Sequence, residues 1–260
     1  MRTGIITGAS SGMGREFVLQ AAARGELDEI WVIARRAERL EQLQREVSVP
    51  LFVLPLDLTR AESFETYRRI LEQRRPQVTL LVNASGFGKF GRYDEIPLQD
   101  SLDMIDLNCK ALVHITQLTL PYLERGAHVI QVDSLSAFQP VPYLGVYGAT
   151  KAFVLSYSRS LNAELAPRGI HMMAFCPGWV KTEFFDHAEQ TSKTAVTYFN
   201  RLFTAREVVA CALRDSARGR DVCVPGLQIK AQVLLTKLLP HRLVMKIWLK
   251  QQKHAGKTEA

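Results

Sequence analysis

Thr3-Gly4-Ile5-Ile6-Thr7-Gly8-Ala9-Ser10-Ser11-Gly12-Met13-Gly14 is the stretch that decides the fold. Thr3–Thr7 reads as a short buried strand. Gly12–Arg24 reads as a helix, with Phe17, Leu19, Ala21 and Ala22 supplying apolar surface and Gly25 placed to end it. Between them lies the pattern TGxxxGxG. Glycines alone mark ordinary turns. Strand, glycine loop and helix in immediate succession say more, because backbone without Cβ lets a ligand approach closely. The helix N-terminus then offers unpaired N–H groups and a partial positive charge to a pyrophosphate. Gly8, Ser10, Ser11, Gly12, Met13 and Gly14 are therefore the candidate phosphate-binding residues.

Outward from this unit, apolar runs at Ile30–Ala34, Pro50–Leu54, Val78–Val82, His128–Val132, Ile170–Phe175 and Val222–Val224 alternate with helical patterns. Those patterns cover Arg36–Glu46, Ala61–Gln73, Gln99–Glu124 and Gly145–Ala166. Near-continuous apolar strands separated by helices predict a parallel sheet buried on both faces. Right-handed crossovers then give an α/β, doubly wound Rossmann fold, a single domain of about seven strands over residues 1–226. Residues 183–203 form a polar-aromatic insertion that reads as a substrate lid, and residues 227–260 a basic amphipathic C-terminal extension.

Composition narrows the function classes. With 47% hydrophobic and 23% charged residues over 260 positions, the chain is globular rather than disordered or collagen-like. No run of 18 apolar residues and no signal-peptide region are present, so a cytoplasmic protein is expected. Cys109, Cys176, Cys211 and Cys223 show no CxxC or zinc-like spacing, which predicts reduced thiols and no metal site. The net charge of +7 is concentrated in Leu227–Ala260, where seven Lys and Arg face Glu259 alone. The main body is thus near neutral, and nucleic acid is not an expected partner.

Three further signals carry chemistry. At the end of the second strand, Arg35 and Arg36 stand where an acidic residue would favour NAD(H); guanidiniums there suit the 2′-phosphate of NADP(H), which is expected over NAD(H). Tyr147 and Lys151 form a YxxxK pair on one helix face. A cation about 4 Å from the phenol is worth roughly 4 kcal/mol at an effective dielectric near 20, enough to bring a tyrosine close to neutrality. Ser134 follows the fifth strand, placed to donate a hydrogen bond to a carbonyl oxygen. Asn108 is a poor helix former in a helical stretch, suited to holding a backbone carbonyl or a water.

TGxxxGxG, Asn108, Ser134, Tyr147 and Lys151, in this order, resemble the short-chain dehydrogenase/reductase family from residue 3 to about 226. Asp57, with Leu58 in the run LDLT, resembles the family's adenine contact. Pro177, Gly178, Val180 and Thr182 in PGWVKT are similar to its PGxVxT segment, with Thr182 placed for the carboxamide. Asn83 matches the first position of the family's NNAG, which here reads NASG. The resemblance implies that Tyr147 exchanges the proton with the carbonyl or alcohol, Lys151 lowers its pKa and holds the nicotinamide ribose, Ser134 orients the substrate oxygen, and Asn108 supports a water next to Lys151. It also implies a homodimer packed through the helices Gln99–Glu124 and Gly145–Ala166.

The expected function is an NADP(H)-dependent carbonyl reductase or alcohol dehydrogenase; the rivals are a non-catalytic NADP(H)-binding regulator and a membrane-surface reductase on the same fold. Phe87, Phe138, Tyr143, Trp179, Phe184, Phe185, Tyr198 and Phe199 suggest an apolar pocket for a small hydrophobic carbonyl or alcohol, steroid-like compounds included. Asp133 stands where the family usually has a small residue, and strand alternation argues against its reaching the Tyr147 phenol. In the extension, Leu238, Leu239, Leu243, Val244, Ile247 and Trp248 suggest one apolar stripe. Helix over residues 228–249 is expected to pack on the protein near the substrate entrance, with weak peripheral membrane contact as the alternative and residues 252–260 as a solvated end.

Overall fold

A computed structural model describes residues 1–188, 196–199 and 201–255. In chain order the strands are β1 (Arg2–Thr7), β2 (Glu29–Ile33), β3 (Leu51–Leu54), β4 (Gln77–Asn83), β5 (Leu123–Val132), β6 (His171–Phe175), β7 (Trp179–Lys181), β8 (Leu202–Thr204) and β9 (Val222–Cys223). Seven of them make one parallel sheet in the order β3-β2-β1-β4-β5-β6-β9, the doubly wound α/β architecture expected from the alternation of apolar runs and helices. The helices are α1 (Gly12–Ala23), α2 (Ala37–Gln44), α3 (Ala61–Arg74), α4 (Leu98–Ile105), α5 (Leu112–Thr119), α6 (Gly145–Leu165), α7 (Phe184–Ala188), α8 (Ala205–Ala217), α9 (Leu227–Leu238) and α10 (His241–Ala255). Because both sheet faces must be covered, the core splits in two. Phe17, Val18, Val208 and Val209 of α1 and α8 close one side, and Tyr67, Leu71, Ile115 and Leu161 of α3, α5 and α6 the other.

Strand order reverses between β1 and β4, and a crevice opens at the carboxyl ends of such strands. Its walls are tied together by the last residue of β1: Thr7 Oγ1 accepts from the N–H groups of Ala84 and Ser85 at 3.0 and 3.1 Å. Below the crevice, Asn83 donates to Thr116 and Gln131, both at 3.0 Å, locking β4 to β5 and α5.

The structure departs from the sequence expectations in four places. The helix expected over Gln99–Glu124 is broken into α4, a π-helical turn at Asp106–Ala111, and α5, which tightens into a 3-10 turn at Leu120–Tyr122 around Pro121. Strand β5 therefore starts at Leu123 rather than His128, and a register shift against β4 absorbs the extra residues. The segment after β6, where a lid was expected, carries further regular structure: β7 and β8 pair in parallel, and Thr204 with Glu207 forms a capping box that starts α8. Of residues 183–203, expected to be the lid, residues 189–195 and 200 lie outside the described residues. The fold also brings Cys211 and Cys223 to 3.8 Å, although no sequence spacing linked them.

The fourth departure is the extension. It forms two helices rather than one stripe, because Pro240 disfavours helical backbone at Leu239, which is extended. Ile229, Val233 and Thr236 are the buried positions of α9, while Val244, Trp248 and Gln252 are buried on α10. Burying side chains of the size of Val and Trp contributes roughly 2 kcal/mol each. The Trp248 indole N–H donates to the Pro142 carbonyl at 3.0 Å. Gln252 belongs to this packed region rather than to a solvated end; residues 256–260 lie outside the described residues.

Candidate active site

The glycine loop leaves β1 with positive φ at Gly8 and Gly12. A Cβ at Gly14 would lie 2.2 Å from the Gly8 carbonyl oxygen, and one at Gly8 would lie 2.8 Å from the Ala84 backbone. No side chain caps the N-terminus of α1 at Ser11. Its N–H groups face a cleft floored by backbone, which fits a dinucleotide pyrophosphate. The Ser10 and Ser11 hydroxyls accept from Arg36 at 3.1 and 2.9 Å, and Arg36 also pairs with Glu183 at 3.0 Å. Arg35 is exposed beside Asp57, whose carboxylate accepts from the N–H and hydroxyl of Thr59. Opposite the loop, Thr182 lies 3.3 Å from where a Gly12 Cβ would stand, so the PGWVKT segment forms the far wall of the cleft.

Two of the expected cofactor residues turn their side chains elsewhere. Leu58 is buried in the core with Phe64 and Leu71. Asn83 is buried in its network with Thr116 and Gln131, so it shapes the loop after β4 without facing the cleft.

Ser134, Tyr147 and Lys151 converge at the end of β5 and the start of α6. Tyr147 and Ser134 line the same cavity, and the Ser134 hydroxyl stands near enough to the Tyr147 phenol to act on its ionisation. Lys151 donates from Nζ to the Val132 carbonyl at 2.8 Å and lies 5.7 Å from the centre of the Tyr147 ring. Asn108 sits in the π-helical turn, where the widened backbone aims its amide inward. Its Oδ1 accepts from Phe87 N at 3.0 Å, and its Nδ2 donates to Phe87 O at 2.9 Å and to Thr150 Oγ1 at 3.1 Å. Asn108 thus clamps the loop after β4 against the α6 helix that carries Tyr147 and Lys151.

The electrostatics differ from the simple tyrosine–lysine expectation. Burial pushes the Tyr147 phenol above its usual range; Ser134 works against that shift and the nearby Asp133 adds to it. Burial also pushes the Asp133 carboxyl up to about 7, with Lys151 and Cys176 pulling the other way. The Lys151 ammonium is held below its usual value by the same burial, which Asp133 partly offsets. Asp133 is therefore part of the site. It does not hydrogen-bond the phenol, as alternation implies, but its charge reaches it. The Cys176 thiol contacts its Oδ2 at 3.5 Å, while Oδ1 has no hydrogen-bond partner.

A cavity of about 520 Å³ opens above these groups. Ser134 and Tyr147 line its floor; Trp179, Phe184, Phe185 and Tyr198 line one wall. Phe184 packs on Tyr147 with ring centres 5.5 Å apart. Phe87, Phe138, Tyr143 and Phe199 do not line it: Phe138 packs against the core and under Lys237, and Phe199 meets Trp179 and Phe185 edge-on. The extension, expected near the substrate entrance, roofs the cavity with Leu239, Val244 and Trp248; the sequence reading missed Leu235 of α9 and, outside the extension, Leu135, Val141 and Leu144 as lining residues. Phe90, at the centre of the aromatic cluster with Trp179 and Phe184, was signalled only by the run GFGKFG.

This geometry agrees with a family match: the family model of short chain dehydrogenases covers residues 2–193. The chain belongs to the short-chain dehydrogenase family. As such it is an NAD(P)-dependent oxidoreductase acting on alcohols or carbonyls. Serine 3-dehydrogenase of Rhizobium radiobacter is 35% identical over 187 residues, 69% of this chain and 72% of that protein. A short-chain dehydrogenase from Sphingobium yanoikuyae, solved in complex with NADPH, is 29% identical with a TM-score of 0.78, covering 89% of this chain and 91% of that one. The bulky-bulky ketone specific alcohol dehydrogenase from Comamonas testosteroni is 25% identical with a TM-score of 0.72, covering 92% and 95%.

Within this short-chain dehydrogenase, the Asn108 clamp has a measurable value. Replacing Asn108 with Ala strands the N–H and C=O of Phe87. The expected loss is about 2 kcal/mol of folding free energy in urea unfolding. An unchanged unfolding midpoint would show that the Phe87 backbone finds other partners.

Proposed function

We propose that the chain interconverts a hydrophobic ketone or aldehyde and its alcohol with NADP(H), on one catalytic domain of residues 1–226 closed by the extension 227–260. The observation that carries this reading is the Tyr147 phenol, beside the Ser134 hydroxyl with Lys151 behind it, at the floor of an apolar cavity beside the glycine cleft. Gly8, Gly12, Met13, Gly14, Pro177, Gly178, Val180 and Thr182 would hold the dinucleotide, which supplies or accepts the hydride when bound. In reduction, Ser134 positions the substrate oxygen and Tyr147 gives it a proton; in oxidation, Tyr147 takes that proton back. Lys151, fixed by the Val132 carbonyl, presents its charge to the phenol. The bulky-ketone preference named for the Comamonas relative accords with the apolar walls and roof.

Preference for NADP(H) is supported by Arg36 over the Ser10 and Ser11 hydroxyls, with Arg35 and Arg39 nearby and Glu183 as the countercharge. A homodimer through α4 and α6 is supported by Leu98, Leu102 and Ile105, which stand exposed one helical turn apart, and by Phe153 of α6.

Three measurements test this reading. Tyr147→Phe is expected to lower kcat by about 10³-fold while cofactor affinity stays unchanged; near-wild-type turnover by the folded variant would sink the assignment. Arg36→Ala is expected to weaken NADPH binding by about tenfold in fluorescence titration, with little change for NADH. Equal losses for both cofactors would mean that the guanidinium only braces the loop. Asp133 provides the pH test. Its ionised carboxylate opposes loss of the phenol proton, so Asp133→Asn should move the rising limb of kcat/KM for alcohol oxidation to lower pH. A limb that moves upward would show that its larger effect is to keep Lys151 charged.

A further inference from the structure

The inner side of the extension roofs the cavity, but its outer side is also apolar. Leu227, Leu234, Leu235 and Leu238, with Ala231, recur at helical spacing along one face of α9. Among the described residues they stand in solvent: Leu238 is 71% exposed and Leu234 59%. On α10, Leu243 and Ile247 continue an exposed apolar surface one turn apart. Leu235 and Ile247 are at once exposed and part of the cavity lining, so this surface borders the mouth of the catalytic pocket. Lys230, Lys237, Arg242 and Lys246 are exposed on the same two helices. The sequence has no acidic residue between Asp221 and Glu259.

We propose that the outer face of α9 and α10 docks on an anionic lipid surface, so that the pocket mouth opens onto the bilayer and takes carbonyl or alcohol substrates dissolved in it. Leucines and an isoleucine among lysines, without acids, suit a helix pair lying in the headgroup region, about 5–10 Å deep. Each cation near such a surface adds about fivefold in affinity. A second copy of this chain fits the face poorly: in a two-fold contact the patch meets itself, cations against cations. No helix among the described residues is long and apolar enough to cross a membrane, so the attachment is peripheral. The docking stands independently of the reaction; the substrate part rests on the function proposed above.

Sedimentation of the full chain with phosphatidylcholine vesicles, and with vesicles also containing phosphatidylglycerol, tests the docking. Binding is expected only to the anionic vesicles and should weaken in high salt. The double variant Leu234→Asp, Leu238→Asp should reduce it by at least about tenfold, and Lys230→Glu with Lys246→Glu similarly. All four positions lie outside the cavity lining, so turnover of a water-soluble carbonyl should be unaffected. Failure to bind, or binding unchanged by both double variants, overturns the proposal. So does a dimer in sedimentation equilibrium that the Leu234→Asp, Leu238→Asp variant dissociates, because a second copy would then cover the face. Anionic vesicles should also raise turnover of a bilayer-dissolved ketone and not of a soluble one. Vesicle binding without turnover of any carbonyl would overturn the reaction while leaving the docking in place.

Discussion

Backbone meets backbone at the carboxyl end of β1, and only glycine fits there. Gly14 stands so near the Gly8 carbonyl, and Gly8 so near Ala84, that a single methyl group at either would collide with main chain. That closeness sets where α1 begins and aims its N–H groups into the crevice between β1 and β4. Thr7 then fixes the opposite lip through Ala84 and Ser85, and Arg36 reaches across from the end of β2 to Ser10 and Ser11. The loop after β4 continues to Phe87, where Asn108 grips it. One steric constraint in the first fourteen residues is thus transmitted through hydrogen bonds to the helix bearing Tyr147 and Lys151.

The candidate catalytic groups are set in a tension that burial creates. A phenol, an ammonium and a carboxyl share a poorly solvated corner, and each is pushed toward its neutral form. The lysine and the carboxylate relieve one another, but the carboxylate also holds the phenol's proton in place. A small residue at position 133 would remove that opposition and leave the Lys151 ammonium with only the Val132 carbonyl and its remaining neighbours. Asp133 therefore tunes the pair in two opposed directions. Removing one partner of a buried pair leaves the other uncompensated, which is why the substitution is not a simple gain.

The parts legible in the sequence were those with local causes. Strand–glycine–helix order, YxxxK spacing and Ser134 after an apolar strand each depend on neighbours within a few residues, and the structure brings Ser134, Tyr147 and Lys151 together. What was not legible depends on distant partners. Nothing near Asn83 says that its amide meets Thr116 and Gln131, 33 and 48 residues away. In the π-helical turn at Asp106–Ala111 the sequence marked only Asn108 as a poor helix former; its bonds to Phe87 and Thr150, which accompany the widening, involve partners 21 and 42 residues away. Of the aromatic residues expected in the pocket, Trp179, Phe184, Phe185 and Tyr198 line it but Phe138 and Phe199 pack behind it, and which leucines of the extension, more than 80 residues beyond Tyr147, reach the roof depends on how its two helices pack.

That roof is attached differently from the sheet below it. The strands are buried by helices on both faces, whereas α10 is held at its inner edge by Val244 and Trp248, by the indole bond to Pro142, and by Gln252, which accepts from the N–H groups of Thr197 and Tyr198. Few buried contacts and an exposed outer face place it at the low end of local stability, where parts that admit ligands are drawn from. Thr197 and Tyr198 belong to the segment between β7 and β8, so Gln252 ties that segment to the roof. The cavity above Tyr147 is thus bounded by the extension and by this segment together, whereas the glycine cleft is anchored in the sheet.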